Sequence, residues 1–426
     1  MTPRQAVIVE GRRTPFVKAG TAFADLDVFD LGRTAAVEVL QRAELEPDEL
    51  DQIVFGNVSR PVKCHNLARE IGLASGAPRT VPAFTVSLAC ASACQAVTSG
   101  VDAIERGYAD VVLAGGAESL SNVPIQYSDK LARSLVAFSQ AKTIPGRMQS
   151  LAQVRIADLA PVAPGIRETS TGLTMGQSAE IMAKVNGISR EAQDDLALTS
   201  HRNAAAAQAA CRLSAEVVPV YRPEGRAVTK DNHIRPDTSA EKLAALPPVF
   251  DRAHGTITAG NSSPLTDGAA AILLMSSAKA ESLGYTPRAR IRSYAYAAVD
   301  PADQLLLGPA YAVPIALDRA GVTLGDIDLF EMHEAFAAQV LSTTQALGSR
   351  QFAEEKLGRG EAVGEIDLDR LNVNGGSIAL GHPFGATGAR VLTSLANEME
   401  RRDVGLGLAT VCAAGGIGCA VVLERS

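Results

Sequence analysis

One rhythm restricts the fold of this 426-residue chain more than any other feature: short apolar, β-branched runs alternate with helix-spaced stripes, stop, and then resume. In the first stretch, strands are expected at Ala6–Val9, Gln52–Phe55 and Val111–Ala114, with Gly115-Gly116 ending the last of these. Leu31, Ala35, Ala36, Val39 and Leu40 form a helical stripe, and a short helix is expected over Asn66–Leu73. After Pro287 come strands at Ile291–Ala295, Asp326–Phe330, Gly405–Cys412 and Cys419–Leu423. Helices are expected among them at Ala310–Ala320, Ala335–Leu347 and Ala389–Glu400. Such alternation predicts right-handed βαβ units and a mainly parallel sheet covered by helices.

Residues 122–250 break the rhythm with prolines from Pro124 to Pro248 and read as an inserted lobe of helices and loops. Within it Ser189 offers a simple helix N-cap, because Ala192 stands where a capping box would need Glu or Gln. A strand at Ala269–Met275 completes the first half far downstream. The expected domains are 1–121 plus 251–280, the lobe 122–250, and a second half 281–426. Two matches point to duplication of the halves: Glu49–Ile53 with Asp326–Phe330 (326 − 49 = 277), and Ala114–Gly116 with Ala414–Gly416 (414 − 114 = 300). Duplicated halves packed together bring corresponding loops to a common centre.

The rhythm singles out one thiol. Phe84–Leu88 runs toward Cys90, and Ala93, Val97, Val101 and Ile104 follow at helical spacing, which puts Cys90 at a strand-to-helix switch. There the helix N-terminus favours thiolate and a lowered pKa. The alternative is a small buried core cysteine beside Cys94. Three later loops are candidates to meet it. Asn374–Gly388 is glycine-rich and carries His382, stiffened by Pro383, as a general base; it lacks the Gly-Lys-Ser/Thr of a phosphate loop. Thr410–Gly418 carries Cys412, an acid/base thiol or else a buried cysteine before a turn, followed by N–H donors. Glu331–Phe336 carries His333, an oxyanion donor or a structural histidine. Ala337 removes the second histidine of a zinc motif, so no metal site is expected.

Composition narrows the class. With 46% hydrophobic and 20% charged residues the chain suits a large buried core. A net charge of −7 speaks against general nucleic-acid binding. Six cysteines without framework spacing imply a reduced, intracellular setting. The short Met1–Gln5 lead into a strand, and the lack of a membrane-length apolar run, make cytoplasmic location the expectation.

Nearly end to end, the chain resembles the thiolase family. The resemblance rests on Arg13-Thr-Pro-Phe16, Cys90-Ala-Ser, Gly115-Gly-Ala-Glu118, Met175-Gly-Gln-Ser-Ala-Glu180, Gly260-Asn-Ser-Ser263, His333-Glu-Ala-Phe336, Gly381-His-Pro-Phe-Gly385 and Cys412-Ala-Ala-Gly-Gly416. It is similar in particular to the branch that forms β subunits of fatty-acid oxidation complexes. The resemblance implies an α/β thiolase fold, two similar βαβ-type halves in a layered α/β/α/β/α core with an inserted helical loop domain. It implies 3-ketoacyl-CoA thiolysis with Cys90 as acylated nucleophile, His382 as its base and Cys412 as acid/base at the α-carbon. His333, with His382, would hold the thioester oxygen. Ser263 would lie near the pantetheine, Met175 beside the acyl pocket, and Ala414 and Gly415 would contribute backbone N–H groups.

His333 stands where many relatives have Asn, Ser87 where many have Asn, and Ala414 where many have Gly. Coenzyme A enters as substrate and no cofactor is bound permanently. Implied partners are a second copy of the chain, a hydratase–dehydrogenase subunit and, peripherally, a membrane. Lys130, Arg133, Lys142, Arg147 and Arg155 outnumber Asp129 and Asp158 on the lobe, a basic surface for any of these or for CoA phosphates. Rival readings are condensation of two acetyl-CoA, a non-catalytic acyl-CoA-binding scaffold subunit, and a Cys–His hydrolase. The last has no use for Cys412.

Overall fold

The computed structural model describes residues 4–162, 167–222 and 224–425. Apolar alternation builds the first half as β1 (Ala6–Arg13), β2 (Val17–Lys18), α1 (Val28–Arg42), β3 (Gln52–Gly56), α2 (Leu67–Ala74), β4 (Ala83–Val86), α3 (Ser92–Glu105) and β5 (Val111–Glu118). Asp27 starts α1 with a reciprocal capping box through Asp30. The lobe follows as α4 (Asp129–Gln140), α5 (Ile144–Leu151), α6 (Met175–Val185), α7 (Arg190–Ala209), the pair β6 (Val220–Tyr221) and β7 (Ala227–Val228), and α8 (Ala240–Ala244). As expected, Ser189 caps α7 alone, accepting from the Ala192 N–H. The chain then returns as β8 (Thr266–Ser276) and α9 (Ser277–Ser282).

The second half comprises β9 (Ala289–Ala298), α10 (Gly308–Ala320), β10 (Leu329–Met332), α11 (Ala337–Gly348), α12 (Arg350–Phe352), α13 (Ser377–Leu380), α14 (Thr387–Arg402), β11 (Leu406–Ala413) and β12 (Ile417–Glu424). The strand expected at Asp326–Phe330 starts later, because Leu324–Asp326 closes a 3-10 turn first.

The sheet order is β10-β11-β12-β9-β1-β8-β5-β3-β4. The two halves join where β1 meets β9 antiparallel, through Val7 with Arg290 and Ile8 with Ala289. Outward from that seam each half repeats one pattern: antiparallel β1–β8 and β8–β5, then parallel β5–β3; antiparallel β9–β12 and β12–β11, then parallel β11–β10. The sheet is therefore mixed, not mainly parallel. β11 and β12 are linked by a turn too short for the crossover that parallel strands require.

Both faces of each half-sheet are apolar, as strands covered by helices on both sides must be. On the first half's outer face, Leu31, Val39 and Ile71 of α1 and α2 pack on Ile53, Phe55 and Leu113. On the second half's, Val313, Leu317 and Val340 of α10 and α11 pack on Phe330, Leu408 and Val422. Between the half-sheets, α3 and α14 share one core through Val97, Val101, Leu392 and Leu395, with Val112 and Ile272 on one side and Val411 and Val421 on the other. This is the five-layer α/β/α/β/α arrangement.

Two carboxylates fix the register of the repeat. Asp51 accepts from the Asp110 and Val111 N–H groups at the entry to β5, and Asp328 accepts from Gly405 and Leu406 at the entry to β11. The first sequence match keeps this offset (328 − 51 = 277). The second does not: 405 − 110 = 295, so the Ala-Gly-Gly match is five residues out of register. Its glycines serve different needs. Gly115 and Gly116 lie inside β5, where a Cβ would meet Ala270 O at 2.3 Å and Gly385 O at 1.8 Å. Gly415 and Gly416 instead turn the chain at φ +83° and +75°. The expectation that Gly115-Gly116 ends the strand fails for the same reason.

The lobe is tied to β1 by Arg13, which is fully buried and bonds Glu216 (2.7 Å) and both oxygens of Asp231 (2.7 and 2.9 Å). Removing one partner of such a pair costs about 3–5 kcal/mol. No helix among the described residues is long and apolar enough to cross a membrane.

Candidate active site

Cys90 lies between elements, not at the strand end. β4 stops at Val86 and α3 begins at Ser92. The intervening turn puts Ala89 at φ +46°, a left-handed conformation that costs a non-glycine residue of order 1–3 kcal/mol. Ser92 holds the turn, its hydroxyl donating to Ala89 O (2.6 Å) and accepting from the Leu88 N–H (2.8 Å). The thiol is not poised as a thiolate. Burial pushes it up to about 12, outweighing hydrogen bonds from the Ala414 N–H and its own N–H. The expected lowering at the helix terminus is thus reversed by desolvation.

His382 occupies the matching loop of the second half, just before α14, and its Nε2 is 3.1 Å from Cys90 Sγ. Its Nδ1 is 2.6 Å from Thr387 Oγ1, and that hydroxyl donates to Pro383 O at 3.1 Å. Having given its hydrogen to the carbonyl, the Thr387 hydroxyl accepts from Nδ1–H, which leaves a lone pair on Nε2 facing the thiol. Burial, with the Arg390 charge, lowers the imidazole to about 3. The resting pair is neutral thiol and neutral imidazole.

Glu118 locks this loop across the molecule, accepting from the Val58, Ser59 and Gly385 N–H groups (3.1, 2.9 and 3.0 Å) and from Asn57 Nδ2. Neither Thr387 nor Glu118 emerged from the sequence as a positioning group. For Glu118 the signal was a carboxylate ending an otherwise apolar strand.

His333 extends β10, its N–H donating to Thr410 O at 2.9 Å. It is fully buried, with Nδ1 2.7 Å from Ser377 Oγ and Nε2 without a partner among the described residues. Its ring centroid lies 4.0 Å from that of His382. The next residue, Glu334, accepts from Ser200 of α7 (2.7 Å), Asn372 (2.6 Å) and the Ile378 N–H (3.1 Å), binding lobe to loop. Cys90 Sγ and ring nitrogens of the two histidines lie within 4.8 Å of one another. The fold thus gathers three ligand-type atoms that sequence spacing did not, although His382 Nε2 is already committed to the thiol.

Cys412 sits on β11 opposite Gly418, buried in an apolar cluster with Met182, Ile257 and Leu306. Burial, then the neighbouring Cys90, raises its thiol well above the usual range. Met175, the first residue of α6, packs on the edge of the same cluster. Ala414 directs its N–H to Cys90. Gly415 departs from expectation: its N–H donates to Glu168 of the lobe (2.8 Å) and is not free for a substrate oxygen. The Ser263 hydroxyl is likewise engaged, donating to Ala335 O at 3.1 Å.

A thiol held against a neutral imidazole acceptor, with a second buried thiol and an imidazole nitrogen that has no partner among the described residues, is chemically equipped for acyl transfer of the Cys–His type. The chain belongs to the thiolase family: "Thiolase, N-terminal domain" matches residues 6–278 and "Thiolase, C-terminal domain" residues 285–425. It is 50% identical to a 3-ketoacyl-CoA thiolase of Yersinia enterocolitica over 98% of this chain and 96% of that one. The same identity holds to one of Aeromonas salmonicida, over 100% and 98%. Among solved structures, human mitochondrial 3-ketoacyl-CoA thiolase superposes with a TM-score of 0.86 at 32% identity, covering 100% of both chains. The Bacillus anthracis acetyl-CoA acetyltransferase gives 0.84 at 32%, covering 99% of each.

Proposed function

We propose that this enzyme cleaves 3-ketoacyl-CoA with coenzyme A, yielding acetyl-CoA and a shortened acyl-CoA in fatty-acid β-oxidation. The observation that carries the reading is the 3.1 Å contact of His382 Nε2 with Cys90 Sγ, with Thr387 fixing the tautomer. His382 takes the Cys90 proton as sulfur attacks the ketone carbon. Collapse of that adduct breaks the Cα–Cβ bond and leaves the electron pair on acetyl-CoA as an enolate, its oxygen held by His333. The Cys412 thiol protonates the enolate carbon. Coenzyme A, losing its proton to the Cys412 thiolate, then attacks acyl-Cys90, and the departing sulfur regains a proton from His382. The high resting value of Cys412 suits a group that must stay protonated until the enolate forms. Ala414 supports Cys90 through its N–H, Met175 borders the acyl pocket, Ser263 lies near the pantetheine, and Gly415 turns the chain behind Cys412.

A condensing direction uses the same groups. It is favoured only by the likeness to an acetyl-CoA acetyltransferase, and the greater likeness to 3-ketoacyl-CoA thiolases supports the degradative one. Residues 122–250 form the lobe, with 1–121 plus 251–280 and 281–426 as the halves. The enzyme works as a cytoplasmic homodimer or larger assembly with a hydratase–dehydrogenase subunit docked on α4 and α5. Lys130 and Arg133 there already pair with Asp158 and Asp129. The support comes instead from apolar Leu135, Val136, Ile144 and Met148, all exposed on those two helices. A thiolysis assay over acyl lengths tests the reaction. Cys412→Ala should abolish exchange of acetyl-CoA methyl hydrogens with deuterated water, and exchange at the wild-type rate would remove Cys412 from the mechanism.

A further inference from the structure

We propose that Ser377, held by the buried Arg390–Glu331 pair, sets the tautomer of His333, so that Nε2 presents a permanent N–H to the reacting thioester oxygen. The use of that donor rests on the function proposed above; the tautomer itself does not.

The argument is a count of hydrogens. Arg390 lies on α14 one turn beyond Thr387 and has no exposed surface. Its Nη1 donates to Glu331 Oε2 (2.9 Å) and its Nη2 to Ser377 Oγ (3.0 Å). A guanidinium can only donate, so Ser377 Oγ is the acceptor in that contact. The hydroxyl's own hydrogen then goes to its remaining neighbour, His333 Nδ1 at 2.7 Å. Nδ1 is therefore the unprotonated nitrogen, and the ring hydrogen resides on Nε2, the atom that is buried without a partner among the described residues. The opposite tautomer would strand the Ser377 hydrogen without an acceptor and aim a bare lone pair at a developing oxyanion.

The two imidazoles, tilted 45° to one another, are thus set in opposite senses from behind. Thr387 makes His382 an acceptor toward the thiol, and Ser377 makes His333 a donor. Burial keeps both rings uncharged, so hydrogen placement, and not protonation, distinguishes them. Ser377, Arg390 and Glu331 are positioning residues: Ser377 bonds His333, Arg390 bonds Ser377, and Glu331 bonds Arg390.

Two readouts separate this role from a merely structural one. Cys90 alkylation by iodoacetamide uses His382 only, whereas hydrogen exchange of acetyl-CoA also requires the His333 donor. In Ser377→Ala, exchange should fall about 100-fold, as for loss of one oxyanion donor, with alkylation within about twofold of wild type. Ser377→Thr keeps a hydroxyl and should restore exchange. His333→Asn supplies an amide N–H whatever lies behind it, so adding Ser377→Ala to it should cost little more. Unchanged exchange in Ser377→Ala, or an equal loss on the His333→Asn background, overturns the proposal. Should Ser377→Ala not fold, nitrogen NMR of histidine-labelled wild type decides: a proton on His333 Nε2 is expected, and one on Nδ1 refutes it. Wild type without exchange or thiolysis would instead defeat the functional reading while leaving the NMR test intact.

Discussion

Thr387→Val keeps the shape of the side chain and removes its hydroxyl. In the native site that hydroxyl accepts from His382 Nδ1–H at 2.6 Å and donates to Pro383 O at 3.1 Å, all within buried surroundings. Valine leaves the Nδ1–H without an acceptor, a cost of about 1–3 kcal/mol. The ring escapes it by moving its proton to Nε2, which blocks the lone pair that faces Cys90. At about 1.4 kcal/mol per tenfold, the base-competent tautomer falls roughly 5- to 150-fold. The assay is the second-order rate of Cys90 alkylation at neutral pH beside kcat for thiolysis, with folding checked by circular dichroism. Both rates should drop together by that factor. A folded variant alkylated at the wild-type rate would refute the assignment of Thr387 and, with it, the account of how His382 is held as a base.

Because burial lifts Cys90 to about 12 and lowers His382 to about 3, the free enzyme holds a neutral pair across the intervening range. His382-assisted alkylation should therefore stay level between about pH 5 and pH 9, with no acid limb near 6.5; a limb centred near 6.5 would mean that the imidazole titrates in its ordinary range. Glu334→Ala strands the Ser200 hydroxyl, the Asn372 amide and the Ile378 N–H, and should cost about 3 kcal/mol or more in urea unfolding; a loss below about 1 kcal/mol would mean the lobe is not anchored there. Charge reversal at Arg133 and Arg147, both on the exposed α4–α5 pair, should weaken co-purification of a hydratase–dehydrogenase subunit and leave short-chain thiolysis intact; an unchanged yield of partner would clear that surface of the role.

Much of this architecture was legible because apolar period and burial coincide. Strands such as β5 and β11 carry apolar residues toward helices on both faces, so their runs stand out in the sequence. The mixed pairing was not legible. Whether β12 pairs parallel or antiparallel depends on the three-residue turn before it, not on its own pattern. The Ala-Gly-Gly match misled because glycine answers two different demands, close backbone approach in β5 and positive φ after β11. The nucleophile and base could be picked by residue type, but the thiol's resting state could not. A helix N-terminus is visible in sequence, while the burial that overrides it arises only when loops hundreds of positions away, such as the one carrying His382, close over the thiol. Thr387, Ser377 and Arg390 were silent for the same reason: a hydroxyl acts as a positioning group only once its second partner is known.

The most direct test of the central claim is a single incubation of wild-type enzyme with a 3-ketoacyl-CoA in the absence of free CoA, followed by digestion and mass mapping. The account predicts one equivalent of acetyl-CoA released and an acyl group on the peptide containing Cys90, discharged when CoA is added. An acyl group on Cys94 or Cys412, or acetyl-CoA release with no acylated cysteine, would contradict it.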